Sequence, residues 1–149
     1  MPSGSCFCTA IKFTFTGEPL VKALCHCTDC RKLSGSTYTT NLLIPSSSFT
    51  LLSGTPKPVP KTSDAGNAIT NFFCGECGSP LWGKGAFGDD LVLRAGVVDW
   101  EEGKENGMSE GARPSVELFV QRRVGWVDGV EGAKGVVGMG KGKGEVEGV

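Results

Sequence analysis

Seven cysteines and one histidine carry most of the chemistry legible in this chain of 149 residues. The cysteines form three groups: Cys6-x-Cys8, Cys25-x-Cys27-x-x-Cys30 and Cys74-x-x-Cys77. An odd number of thiols clustered at gaps of one and two residues is unlike a disulfide framework and suits metal ligation. Cys74-Gly75-Glu76-Cys77-Gly78 fits a tight knuckle, because glycine accepts positive φ while two sulfurs turn toward one tetrahedral ion. Cys6 and Cys8, on the same face of a strand pattern, supply the other half of a four-thiolate site, closed and structural. Cys25, Cys27 and Cys30 then lack a fourth cysteine and leave an open coordination position, as catalytic zinc sites do. Three thiolates leave a divalent ion with net negative surroundings, which favours capture of a thiol over generation of hydroxide.

Other partitions stay open at this level. His26 can close the trio as a fourth ligand, or part of the trio can join Cys74 and Cys77 in one zinc ribbon while Cys6 and Cys8 stay free. A redox switch is a further reading, since exposed low-pKa thiolates oxidise readily. A Ser-His-Asp triad has no support, with a single His in the chain and no nucleophile elbow around any Ser.

The elements that must position these groups read mainly as strands. Residues 7–15 place Phe7, Ile11, Phe13 and Phe15 opposite Cys6, Cys8, Lys12 and Thr14 with a period of two. Residues 38–44, 49–53, 68–73, 91–98 and 116–120 are further strand candidates, β-branched or aromatic and bounded by Gly, Pro or Ser. Residues 28–33 suit one short helical turn after the cysteine triplet. Pro56, Pro58 and Pro60 deny the segment between them a central-strand role, so it reads as a connector. Residues 99–110 carry five acids and one lysine and read as a solvated loop. From Gly129 onward eight of 21 residues are Gly and none is aromatic, so residues 129–149 are expected to be a mobile or surface-lying tail beyond a zinc-binding domain of residues 1–128.

Composition sets the outer bounds. The 39% hydrophobic content and twelve aromatics exclude a wholly disordered chain, and the length fits one domain. Fifteen basic against sixteen acidic side chains leave no global positive field, so nucleic acid is not the expected partner. No apolar run reaches a membrane-spanning length and no signal-peptide core follows Met1, so a cytoplasmic protein without membrane association is expected.

At Gly4-Ser5-Cys6-Phe7-Cys8, at the run from Cys25 to Ser36, and at Phe73-Cys74-Gly75-Glu76-Cys77-Gly78-Ser79-Pro80-Leu81-Trp82, the chain resembles the glutathione-dependent formaldehyde-activating enzyme family, also called the centromere protein V/GFA domain. Arg94 to Asp99 and Pro114 to Trp126 look like the family's closing strands, so the resemblance spans roughly residues 4–128. It implies a mainly β protein, a β-tent fold of small antiparallel sheets stapled by zinc knuckles. Two zinc ions are implied, one structural on Cys6, Cys8, Cys74 and Cys77 and one catalytic on Cys25, Cys27 and Cys30. The implied activity is that of a carbon-sulfur lyase acting on a small-molecule thiol adduct of a carbonyl compound, with glutathione as co-substrate. Arg31 and Lys32, next to the triplet, are candidates to receive the carboxylates of a glutathione-like ligand. Phe72, Phe73 and Trp82 read first as core. Glu117 stands where many family members carry His, a departure that bears on the founding reaction and admits a larger thiol adduct. The competing reading is a noncatalytic zinc-stapled protein-interaction module.

Overall fold

The computed structural model describes residues 1–63, 66–101, 103 and 107–139. Eleven strands and two short helices follow one another: β1 Ser3–Ser5, β2 Lys12–Phe15, β3 Val21–Cys25, α1 Thr28–Ser34, β4 Thr39–Ile44, β5 Phe49–Ser53, β6 Lys57–Thr62, β7 Ala68–Phe73, β8 Pro80–Gly85, β9 Gly88–Arg94, α2 Met108–Gly111, β10 Val116–Leu118 and β11 Lys134–Gly135. They form a three-stranded sheet, β1-β2-β5, and an eight-stranded sheet, β11-β10-β3-β4-β9-β8-β7-β6. The mainly β class expected from sequence is what the chain adopts. The larger sheet is mixed rather than antiparallel throughout, because β10 runs parallel to both β3 and β11.

Strand pleating divides the large sheet into two chemically different faces. Asn41 pairs with Arg94, Leu43 with Val92, Val92 with Gly83 and Gly83 with Asn71, so these side chains share one face. Leu42, Ile44, Leu91, Leu93 and Trp82 take the other and pack with Phe13 and Phe15 of the small sheet, and with Ile11 just before it, into the main core. Phe13 is fully buried, stacked on Phe49 at 5.5 Å and meeting the edge of Trp82 at 6.0 Å. Each such aromatic contributes about 1.5–3 kcal/mol through burial. Gly4 in β1 lies so close to this core that a Cβ would stand 2.1 Å from Phe13 Cζ and 2.4 Å from the Val97 carbonyl oxygen.

Several elements differ from the sequence reading. Cys6 and Cys8 do not continue β2; they occupy the turn of a β1–β2 hairpin, closed by Cys6 N–H to Ile11 O at 3.1 Å, which leaves Phe7 91% exposed. A turn can aim two sulfurs at one point, as a straight strand with residues two apart cannot do as closely. The proline-rich connector is the edge strand β6, where Pro58 and Pro60 lie opposite Phe72 and Thr70. Prolines at alternate positions turn their missing donors to the side on which the sheet has no further strand. Residues 95–97 leave the β9 ladder as a short 3-10 turn. Residues 99–110 fall partly outside the described residues.

The Gly-rich segment expected to stand apart from the domain enters the sheet instead. β11 pairs with β10, Val136 N–H donates to Glu117 O at 2.9 Å, and Val136 is completely buried against Ala23, Val116, Leu118 and Phe119. The parallel ladder supplies the partners that its own composition does not. Residues 140–149 lie outside the described residues.

Two stability measurements follow. Gly4→Ala should lower the urea-unfolding free energy by about 1–3 kcal/mol through overpacking. Val136→Ala should lower it by about 2 kcal/mol, whereas an unchanged midpoint would mean that the segment after Gly129 adds nothing to the fold.

Candidate metal centres and cavity

The sulfurs of Cys6, Cys8, Cys74 and Cys77 all lie within 4.8 Å of one another. Four thiolates at zinc's usual bond length of about 2.3 Å would stand about 3.8 Å apart along the tetrahedron's edges. Cys6 Sγ lies 3.6 Å from Cys8 Sγ, and Cys8 Sγ lies 3.8 Å from Cys74 Sγ, so the donor set fits that ion. The second knuckle is tightened by Gly78 N–H donating to Cys74 O at 2.8 Å, with Gly78 at φ 78. Ser79 joins the two knuckles, since its hydroxyl accepts from Phe7 N–H at 3.0 Å and lies 3.2 Å from Cys77 Sγ. The Ser79 hydroxyl and N–H draw the Cys77 thiol down to about 5.

Cys25, Cys27 and Cys30 form a second group whose sulfurs are likewise within 4.8 Å of one another. Cys25 ends β3 and pairs with Leu118 of β10. Cys27 caps α1, its sulfur accepting from Cys30 N–H at 3.2 Å, and Gly35 at φ 70 ends the helix about two turns later. This short turn brings all three sulfurs together within six residues. Hydrogen bonds from Cys25 and Cys27 draw the Cys30 thiol down to about 2, with the Arg94 charge and the Thr39 hydroxyl helping against burial. The Cys27 and Cys30 side chains and burial push Cys25 up. The three thiols thus influence one another's ionisation at close range, and a cation held among them would favour their thiolate forms. Among the described residues no fourth Cys, His, Asp or Glu joins the trio.

The trio opens onto a cavity of about 300 Å³. Arg94 lines it and is held by two side chains of the same sheet face, donating to Asn41 Oδ1 at 2.7 Å and Asn71 Oδ1 at 3.1 Å. Gly83 leaves room beside them, since a Cβ there would lie 2.9 Å from Asn71 Oδ1. Lys61, also in the lining, pairs with Asp29. The rest of the wall is largely apolar, with Val59, Ile69, Phe87, Phe119 and Met139 prominent.

His26 does not close the trio. It is completely buried on the opposite side, its Nε2–H donating to Glu117 Oε1 at 3.0 Å. Glu117 Oε2 accepts from Arg123 Nη2 at 2.9 Å and from Val130 N–H at 3.1 Å. Burial pushes the Glu117 carboxyl up, but these bonds and the Arg123 charge outweigh it and hold the group below its ordinary value. Glu117 thus belongs to a bracket behind the site and is absent from the residues that line the cavity.

Of the two basic residues beside the triplet, Lys32 lines the cavity, while Arg31 turns away and donates to the Arg122 carbonyl oxygen. Trp82 and Phe72 are core, and Phe73 lies under Lys57 at 5.8 Å. Sequence reasoning missed Asn41, Asn71 and Arg94 as site residues. The alternation of β4 and β9 signals which residues share a face, but only the strand pairing sets those three side by side. The cysteines divide four and three in space, and neither the single zinc ribbon nor a disulfide is present, all seven being free thiols.

Comparison with known proteins bears on the same residues. A solved crystal structure of a Rhodobacter sphaeroides protein is similar in fold, with a TM-score of 0.52 and 17% identity over 65% of this chain and 87% of that one. No curated protein matches the sequence. Residues 1–122, which hold all seven cysteines, match the family described as glutathione-dependent formaldehyde-activating enzyme. With both cysteine groups falling inside that match, the chain belongs to the glutathione-dependent formaldehyde-activating enzyme family.

Proposed function

We propose that the protein is a zinc-dependent carbon-sulfur lyase or synthase acting on a glutathione or related thiol adduct of a carbonyl compound. The observation that carries this reading is the trio of Cys25, Cys27 and Cys30, converged on one point and facing a cavity without a fourth ligand among the described residues. Cys25, Cys27 and Cys30 would hold a zinc ion, which when bound would lower the pKa of an incoming thiol. Cys6, Cys8, Cys74 and Cys77 would hold a second, structural zinc.

The chain's own groups orient the reacting atoms. In the synthetic direction the thiol gives up its proton, its sulfur bonds to the carbonyl carbon, the carbonyl π electrons move to oxygen, and that oxygen takes up one proton, so the adduct is the sum of thiol and carbonyl compound. In cleavage the hydroxyl loses its proton, the C–S bonding pair returns to sulfur, and the sulfur regains a proton. Arg94 meets the charge that develops on oxygen: it lies in the cavity and close enough to Cys30 to lower that thiol's pKa. Two of its N–H groups are fixed by Asn41 and Asn71, so the guanidinium is oriented before substrate arrives. The apolar wall limits water around the adduct and strengthens this interaction. Lys32 is the cavity-lining cation available to a substrate carboxylate. The interaction-module reading gains nothing from the site, since a binding module has no need of a cavity beside three converged thiols.

Metal counting tests the arrangement. Wild type should hold two zinc ions per chain, and Cys30→Ser one, with an unchanged circular-dichroism spectrum; collapse of Cys30→Ser would favour a purely structural role. Arg94→Gln should keep both ions but reduce turnover of S-hydroxymethylglutathione by about 10²–10³-fold, the usual loss for one such donor. Equal turnover by this variant would remove Arg94 from the mechanism.

A further inference from the structure

The family match ends at residue 122, yet the wall of the cavity does not. Residues 129–139 are tied to β10 along their length: Val130 N–H donates to the Glu117 carboxylate at 3.1 Å, Lys134 N–H to Ser115 O at 3.0 Å and Val136 N–H to Glu117 O at 2.9 Å. Bonds in the other direction run from Val120 N–H to Val136 O at 3.1 Å and from Phe119 N–H to Gly138 O at 3.0 Å. Phe119, at φ 54, is one of two described non-glycine residues with positive φ, and it lines the cavity with the neighbouring Leu118. Met139 follows directly on the last of these bonds, packs with the cluster that includes Cys25 and Cys30, and also lines the cavity.

The partners of the polar lining groups sharpen the point. Arg94 is engaged by two asparagines and Lys61 by Asp29, whereas Leu33, Phe87, Leu118, Phe119 and Met139 offer unpolar surface in the same space. The carboxylates and amides of a glutathione carrier do not match that apolar surface, and a one-carbon carbonyl unit is too small to cover it. We infer that residues 129–139 form a specificity wall, with Met139 as its contact residue, and that the site takes adducts bearing an apolar group of about four to eight carbons on the reacting carbon. The inference rests on the trio-bearing cavity being the adduct site, and it names the class of carbonyl compound that the site selects.

Alkanethiols test the wall without relying on turnover, because a sulfur held at the trio brings their chain into the same cavity. The zinc-loaded full chain is titrated calorimetrically with ethanethiol and with hexanethiol. Hexanethiol should bind about tenfold more tightly or better, in keeping with the gain per methylene group in apolar pockets. Met139→Ala should cut that advantage to about threefold or less while moving the ethanethiol Kd less than about twofold, and Met139→Leu should retain it. Met139→Trp, which fills the cavity instead of emptying it, should weaken hexanethiol selectively. Equal Kd values for the two thiols in wild type, no binding of hexanethiol, or an equal loss of both in Met139→Ala would overturn the inference. The two failures read differently: turnover of S-hydroxymethylglutathione without chain-length preference leaves the proposed reaction standing and removes the wall, whereas absence of turnover with every adduct removes the reaction and, with it, the wall's role in adduct selection.

Discussion

Seven sulfurs held in two groups at distances no set of like charges tolerates are the constraint on which this protein is organised. The four-sulfur group joins a hairpin turn at the start of the chain to a knuckle between β7 and β8, with Cys8 and Cys74 separated by 66 positions. A metal there would close a long loop in the unfolded chain and couple the small sheet to the large one, so that its binding energy would become folding energy. Ser79 adds a hydrogen-bonded tie between the two turns that hold the ligands.

The large sheet separates stability from chemistry by the pleat alone. Its core face carries Leu42, Leu93 and Trp82 against the phenylalanines of β2, while the opposite face carries Asn41, Asn71 and Arg94 beside the three-cysteine group. A one-residue slip between β4 and β9 would exchange the two sets, placing a guanidinium in the core and leucine in the cavity. The burial of Leu42 and Leu93, paired across β4 and β9, therefore also guards the register of the site.

Behind the trio, His26, Glu117 and the partly exposed Arg123 form a bracket whose outer arm reaches Val130. Such a network costs less the more of its groups are paired: both Glu117 carboxylate oxygens are, the Val130 amide supplying one bond, while His26 Nδ1 and Arg123 Nε have no hydrogen-bond partner among the described residues. The C-terminal segment thereby becomes part of the structural support of β10 and, through Met139, part of the cavity. Among the described residues no helix is long and apolar enough to cross a membrane.

The cysteine spacings, the strand periods of residues 39–44, 49–53 and 68–73, and the helical turn after Cys27 were legible without coordinates, because each depends on neighbours within a few positions along the chain. The four-plus-three division was legible too, since ligand number and tetrahedral geometry restrict how seven thiols can be shared. Arg94 as a cavity residue, the bracket at Glu117 and the entry of Val136 into the core were not legible. Each is made by strand pairing between distant segments, where a side chain's face and partners depend on register rather than on its own identity. Local covalent spacing determined which atoms can bind a metal, and long-range hydrogen-bonded register decided what surrounds them, because sulfurs a few residues apart need only a turn to meet, whereas Asn41, Arg94 and Met139 meet only when the sheet is assembled.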